Sequence, residues 1–184
     1  MLIQSEAAIL TVLETVPLFK QLEPSALQDL AREASMSELT DGEVLFEEGH
    51  RADDIAFVMS GSIRLTCKPG NGPEIVVGYV QAGDIVGEMA VLDPAPRSAS
   101  ARGAEGAVVL HLPQNSFESF LNDGHPVARV MLVAIRQMMT HRIRILNERI
   151  GALFLIDADE EVGDEFQSMV VRLRGIWSTV RSGG

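Results

Sequence analysis

The sequence predicts an α+β fold: an eight-stranded antiparallel β-roll, jelly-roll-like, flanked by N-terminal helices and one long C-terminal helix. Three observations carry this. Apolar residues alternate between residues 37 and 112: Val44 with Phe46, Ile55 with Phe57 and Met59, Ile63 with Leu65, Ile75 with Val77 and Tyr79. That is the period of strands with one buried face. Glycines punctuate the same stretch, among them Gly42, Gly49, Gly61, Gly70, Gly78 and Gly87, as many short strands joined by turns require. On either side the apolar spacing changes to three and four, the helical period.

Residues 1–36 read as a helical segment. Residues 6–13 are weakly periodic, and Pro17 interrupts them because the residue before a proline avoids helix. A second helix starts near Pro24, a favoured first-turn position, and sets Leu27, Leu30 and Ala31 on one face. The roll follows over 37–112. Residues 68–73 (Lys-Pro-Gly-Asn-Gly-Pro) form a hairpin loop, and the last two strands fall at 98–103 and 106–112. Residues 113–155 hold a hinge, near the Asn-Asp-Gly-His-Pro of 122–126, and a long helix from 127 to about 153. Leu132, Ile135, Met139, Ile143, Leu146, Ile150 and Leu153 make a near-heptad stripe on it. That stripe favours a homodimer seam over 132–153, against packing on the chain's own roll. Residues 156–184 begin with an acidic run, read as a linker. An amphipathic tail helix then carries Phe166, Met169, Val170, Leu173, Trp177 and Val180. Its apolar stripe is expected to dock on its own domain, on a dimer mate or, through residues 166–180, on a partner protein.

Composition narrows the function. The 184 residues carry a net charge of −11, which argues against nucleic-acid binding through phosphate neutralisation. No apolar run is long enough to span a membrane. The N-terminus has no basic start or cleavage pattern. Cys67, the single cysteine, fits a reducing compartment. A cytoplasmic protein is expected. His50, His111, His125 and His141 are isolated in sequence, so neither a metal site nor a cofactor nor an enzyme of the metal-holding jelly-roll kind is expected.

The chemistry concentrates at residues 87–100, Gly-Glu-Met-Ala-Val-Leu-Asp-Pro-Ala-Pro-Arg-Ser-Ala-Ser. Arg97 can grip a phosphate by a two-pronged charged contact. Glu88 suits a sugar hydroxyl. Amides after Gly87 add donors, as free N–H groups at a turn or helix start do. The competing reading is an ordinary surface loop.

The order of elements separates these readings. Val16-Pro-Leu-Phe19, Asp41-Gly-Glu-Val-Leu-Phe-Glu-Glu-Gly49, Phe57-Val-Met-Ser-Gly-Ser-Ile63, Gly83-Asp-Ile-Val-Gly-Glu-Met-Ala90 and Pro96-Arg-Ser-Ala99 occur in turn. Over about residues 16–150 the chain resembles the cyclic nucleotide-binding domain. That domain is shared by the catabolite activator protein, protein kinase A regulatory subunits and cyclic-nucleotide-gated channels. The resemblance implies that Arg97 binds the cyclic phosphate and Glu88 the ribose 2′-hydroxyl. Gly87, Met89, Ala90, Ser98 and Ala99 complete the cassette. Ser98 after the arginine favours cAMP over cGMP. In the family the base is capped from the long helix, where Gln137, Thr140 and His141 are the polar candidates, each also readable as a solvent or dimer contact. About thirty residues follow that helix, fewer than the winged helix-turn-helix of the transcription-factor members, so a stand-alone sensor without nucleic-acid partners is expected. The alternative is a structural or protein-interaction module of the same fold that no longer binds nucleotide.

Overall fold

The computed structural model describes residues 2–3, 5–70, 72–89 and 95–157. The chain forms two compact units, residues 1–138 and 139–184.

In the first unit, α1 (Glu6–Leu13) buries Ile9 and Leu13. A 3-10 turn (Pro17–Phe19) follows, where Pro17 broke the helical pattern, and it swings Phe19 edge-on against Phe57 with ring centroids 5.3 Å apart. Helix α2 (Pro24–Glu33) starts at its proline and buries Ala26, Leu27, Leu30 and Ala31, the stripe that i, i+3 and i+4 spacing dictates.

The sheet is antiparallel throughout. Its strands are β1 (Leu2–Ile3), β2 (Ser35–Leu39), β3 (Val44–Phe46), β4 (Asp54–Cys67), β5 (Ile75–Gln81), β6 (Ile85–Val86) and β7 (Ser100–Pro113). Two long strands, β4 and β7, pair along their length and run through both halves of the sheet. One half has the order β1-β2-β7-β4-β6, and in the other β3 and β5 flank the same two strands. The halves meet at a bend. Register shifts there at Ser60, and Gly61, Glu105 and Gly106 all have positive φ, +72°, +61° and +68°. Leu39, Ala56, Val58, Ile63, Val80, Val86, Ala101, Ala107 and Val109, drawn from both halves, form one core cluster.

Seven strands, not the expected eight, form the sheet among the described residues. The strands expected at 55–59 and 63–65 are the single strand β4, and those at 98–103 and 106–112 are the single strand β7. Glycine at the bend lets each strand turn and bulge without losing its pairing. The segment expected to be helical to residue 36 also contributes β1 and the start of β2. The hairpin at 68–73 joins β4 to β5, closed by the Cys67–Ile75 pair.

Helix α3 (Gln114–Asn122) ends at the expected hinge. Gly124 takes φ +64°, and the His125 amide donates back to the Phe120 carbonyl at 2.8 Å, the left-handed ending that glycine permits. Helix α4 (Pro126–Asp157) then begins at a proline. In its first turns Val127, Ala128, Val130, Met131 and Ile135 are buried. In the second unit, Ile143, Leu146 and Ile150 of the expected stripe are exposed. The tail expected over 166–180 lies outside the described residues, as does the acidic run from residue 158 on.

Candidate functional site

Strand β6 delivers the chain into Gly87, whose φ of +82° is a glycine conformation. A Cβ there would collide with Nη1 of Arg97. Glu88 follows and is buried, whereas Met89 is exposed. Ala90 lies outside the described residues. On the return arm, Arg97 is buried between exposed neighbours. Its backbone explains why. The Arg97 amide donates to the His50 carbonyl and the Gly49 amide donates to the Arg97 carbonyl, both at 2.8 Å. These two bonds pin the arginine to the loop between β3 and β4.

The guanidinium is enclosed, its side chain 4% exposed. Its Nη2 donates to the Asp54 backbone carbonyl at 2.9 Å and to Asp54 Oδ1 at 2.5 Å; Nη1 reaches the Gly87 carbonyl at 3.3 Å. Cζ stands 4.1 Å from the centre of the Phe46 ring, a cation–π distance. Its Nε is buried and has no acceptor among the described residues. A buried donor with no acceptor costs free energy, and an acceptor that reached Nε would relieve that cost.

Asp54 is itself held from behind. His111 Nδ1 lies 2.7 Å from its Oδ2, and His111 Nε2 lies 2.8 Å from Ser37 Oγ. Burial pushes the Asp54 carboxyl up. The hydrogen bond and charge of His111, with the Arg97 guanidinium, outweigh that and hold it below the ordinary aspartate range.

The structure thus brings Gly87 and Arg97 into contact, and Ser98 Oγ reaches Met89 Sδ at 3.3 Å across the two arms. Ala99 is half-buried beside them. Gln137, Thr140 and His141 are exposed on α4. Asp54, His111, Ser37 and Phe46 are the residues that sequence reading missed as site components. His111 is paired with Ala56 in the β4–β7 register and with Ser35 in the β2–β7 register, so only that register brings Asp54 and Ser37 within its reach. Among the described residues no group of three or more His, Cys, Asp and Glu side chains is placed to hold a metal ion. No described helix is long and apolar enough to cross a membrane.

The site is thus a glycine-led cassette that carries a buried guanidinium, set on an antiparallel sheet. Residues 36–123 match the family model of the cyclic nucleotide-binding domain. The chain is similar to a CRP-like cAMP-activated global transcriptional regulator of Mycobacterium tuberculosis, 22% identical over 161 residues, or 88% of this chain and 70% of that one. The cAMP-activated regulator CRP of Salmonella typhimurium is 24% identical over 61% of this chain and 52% of its own length. The acetyltransferase Pat of Mycolicibacterium smegmatis is 28% identical over 82% of this chain. The chain therefore spans about half of the Salmonella regulator and 40% of the acetyltransferase. Among solved structures, a cyclic nucleotide-binding domain from Methylobacillus flagellatus superposes with a TM-score of 0.65 at 21% identity, covering 86% of this chain and 85% of that one. The regulatory domain of Toxoplasma gondii PKA, solved with cAMP, gives 0.59 at 22% identity over 72% of this chain and 50% of its own. At these identities the structural likeness speaks for the fold.

Proposed function

We propose that this chain is a cytoplasmic, non-enzymatic cyclic-nucleotide sensor, with cAMP favoured over cGMP. Arg97 takes the cyclic phosphate, Glu88 the ribose 2′-hydroxyl, and Gly87, Met89, Ala90, Ser98 and Ala99 the rest of the phosphate–ribose edge. The observation that carries the reading is the enclosed Arg97 guanidinium, with Nε lacking an acceptor among the described residues, ten residues after Gly87 in the family-matched segment. A cyclic phosphodiester carries one negative charge, and a charged hydrogen bond in such a site contributes about 1.5–3 kcal/mol.

Ligand at the cassette shifts a pre-existing equilibrium of the helices that follow the sheet. The break at Gly124–Pro126 is the hinge, and Gln137, Thr140 and His141 are the candidate caps for the base. Output passes to a dimer mate through 132–153 or to a partner protein through 166–180.

Calorimetric titration with cAMP and cGMP tests this on protein stripped of copurified nucleotide. Wild type is expected to bind cAMP more tightly than cGMP. Arg97→Ala loses roughly ten- to a hundredfold in affinity. Absence of heat with either nucleotide overturns the reading. It would favour the second one, a module of this fold that no longer binds nucleotide. One observation speaks for that alternative: Asp54 already neutralises Arg97 from within the chain.

A further inference from the structure

The Arg97 guanidinium does not stand alone behind the cassette. Its Nη2 donates to the Asp54 backbone carbonyl and to Asp54 Oδ1, and His111 holds Oδ2, the other oxygen of that carboxylate. An ionised carboxylate can only accept, so His111 Nδ1 carries a hydrogen and donates to Asp54. The opposite ring nitrogen faces Ser37 Oγ at 2.8 Å. A serine hydroxyl can turn. It donates to a neutral Nε2 or accepts from a protonated one. Both charge states of His111 are therefore satisfied with every heavy atom in place.

The contacts of His111 lead to a charged pair on one side and to a hydroxyl on the other. From β4 there is Asp54, and beyond it Arg97 on the return arm of the cassette; β2 supplies the uncharged Ser37. Glu88, buried one residue after Gly87, adds a further carboxylate on the cassette side. With His111 neutral, Arg97 and Asp54 cancel, and an incoming phosphodiester meets a site with no positive charge to spare. With His111 protonated, its charge balances the Glu88 carboxylate, so the site that the phosphodiester meets is one charge less negative. Inside a protein, where the effective dielectric is low, that difference is large.

We propose that Asp54 and His111 are proton-linked positioning residues for Arg97, so that an anion bound at Arg97 is bound together with one proton taken from solvent onto His111 Nε2. The N–H bond forms as the solvent acid, hydronium or buffer, gives up its proton and is left as its conjugate base; within the protein no covalent bond breaks. This rests on the reading of the cassette as a cyclic-nucleotide site and goes beyond it. Affinity for the anion then rises as pH falls.

Two measurements test it. The first is cAMP calorimetry on wild type and His111→Gln, from about pH 8 to about pH 6, in two buffers of different protonation enthalpy. Wild type is expected to tighten roughly three- to tenfold over that span, with proton uptake up to one per ligand. His111→Gln is expected to bind with no such slope. A wild-type affinity that does not change with pH, or a slope that survives His111→Gln, overturns the proposal while the cyclic-nucleotide reading stands. The second is the NMR titration of the His111 ring in ligand-free protein. Arg97→Gln leaves Asp54 wholly to His111 and is expected to move the ring midpoint to higher pH. Asp54→Asn is expected to move it to lower pH, which keeps the test available should Arg97→Gln not fold. Unmoved midpoints overturn the coupling. No heat with either nucleotide at any pH refutes the cyclic-nucleotide reading alone, and the ring titration then decides the coupling.

Discussion

Gly61 and Gly106 face one another across the bend of the sheet with nearly the same backbone, φ +72° and +68°, but with different surroundings. A Cβ on Gly106 would meet nothing within 4 Å. A Cβ on Gly61 would overlap the Gly106 carbonyl oxygen, and would stand 2.7 Å from that carbonyl carbon and 2.9 Å from the Ala107 Cα. All three are backbone atoms of the partner strand, which no rotamer change can clear. Gly106→Ala therefore meets only the left-handed penalty of about 1–2 kcal/mol, partly offset by the stiffer unfolded chain, about 0.4–1 kcal/mol. Its net cost is about 1 kcal/mol. Gly61→Ala meets the same penalty plus forced separation of β4 from β7, an overpacking cost of about 1–3 kcal/mol. Its total is about 3 kcal/mol. Urea unfolding followed by circular dichroism reads the difference. A loss of about 2 kcal/mol more in Gly61→Ala is expected; equal midpoints would refute the claim that close strand approach, rather than φ alone, requires glycine there.

Other perturbations test the site and the hinge. Gly87→Ala places a Cβ against Nη1 of Arg97, and about tenfold weaker cAMP binding is expected by calorimetry, with a stability loss near 1 kcal/mol. Asp54 titrates below its ordinary range in the folded chain, so its pairing adds stability that is fully present above the unfolded aspartate value, about 3.9, and is lost as pH falls through the folded value. Thermal melts across the acid limb are expected to show a shallower loss in Asp54→Asn than in wild type. An identical slope would remove Asp54 from the acid transition. At the hinge, the Val127 amide donates to His125 Nδ1 at 3.3 Å and His125 Nε2 reaches Asp29 Oδ2 at the same distance. His125→Ala is expected to cost about 1 kcal/mol as a lost cap, measured by urea midpoint.

Local features were legible in the sequence and register-dependent ones were not. Alternation at Ile55, Phe57 and Met59 marks a strand because side chains point to opposite faces every second residue. Gly87, Glu88 and Arg97 lie within one short segment, so their spacing can be read directly. The continuity of β4 through Gly61 could not be read that way. A glycine within an alternating run marks a turn or a bulge equally well, and only the backbone approach to Gly106 decides between them. The Ser37–His111–Asp54–Arg97 chain was invisible for a related reason. Its members come from β2, β7, β4 and the cassette, and the isolated histidine became a site component only once strand register set it between a hydroxyl and a carboxylate. Phe46 behaved likewise: its spacing marks a strand residue, and the Arg97 guanidinium over its ring follows from the β3–β4 loop clamp.

The two long strands have a consequence for how this domain is assembled. Each half of the sheet takes its central pair from β4 and β7, and those strands pair from Asp54 with Pro113 to Thr66 with Ser100. Each half gains its full native pairing only when these two segments, separated by the whole cassette, have met. Closure of that long loop precedes most of the reward. The protein should therefore acquire its sheet in one cooperative event, and native-state hydrogen exchange should report a single opening free energy on both sides of the bend, as one foldon rather than two.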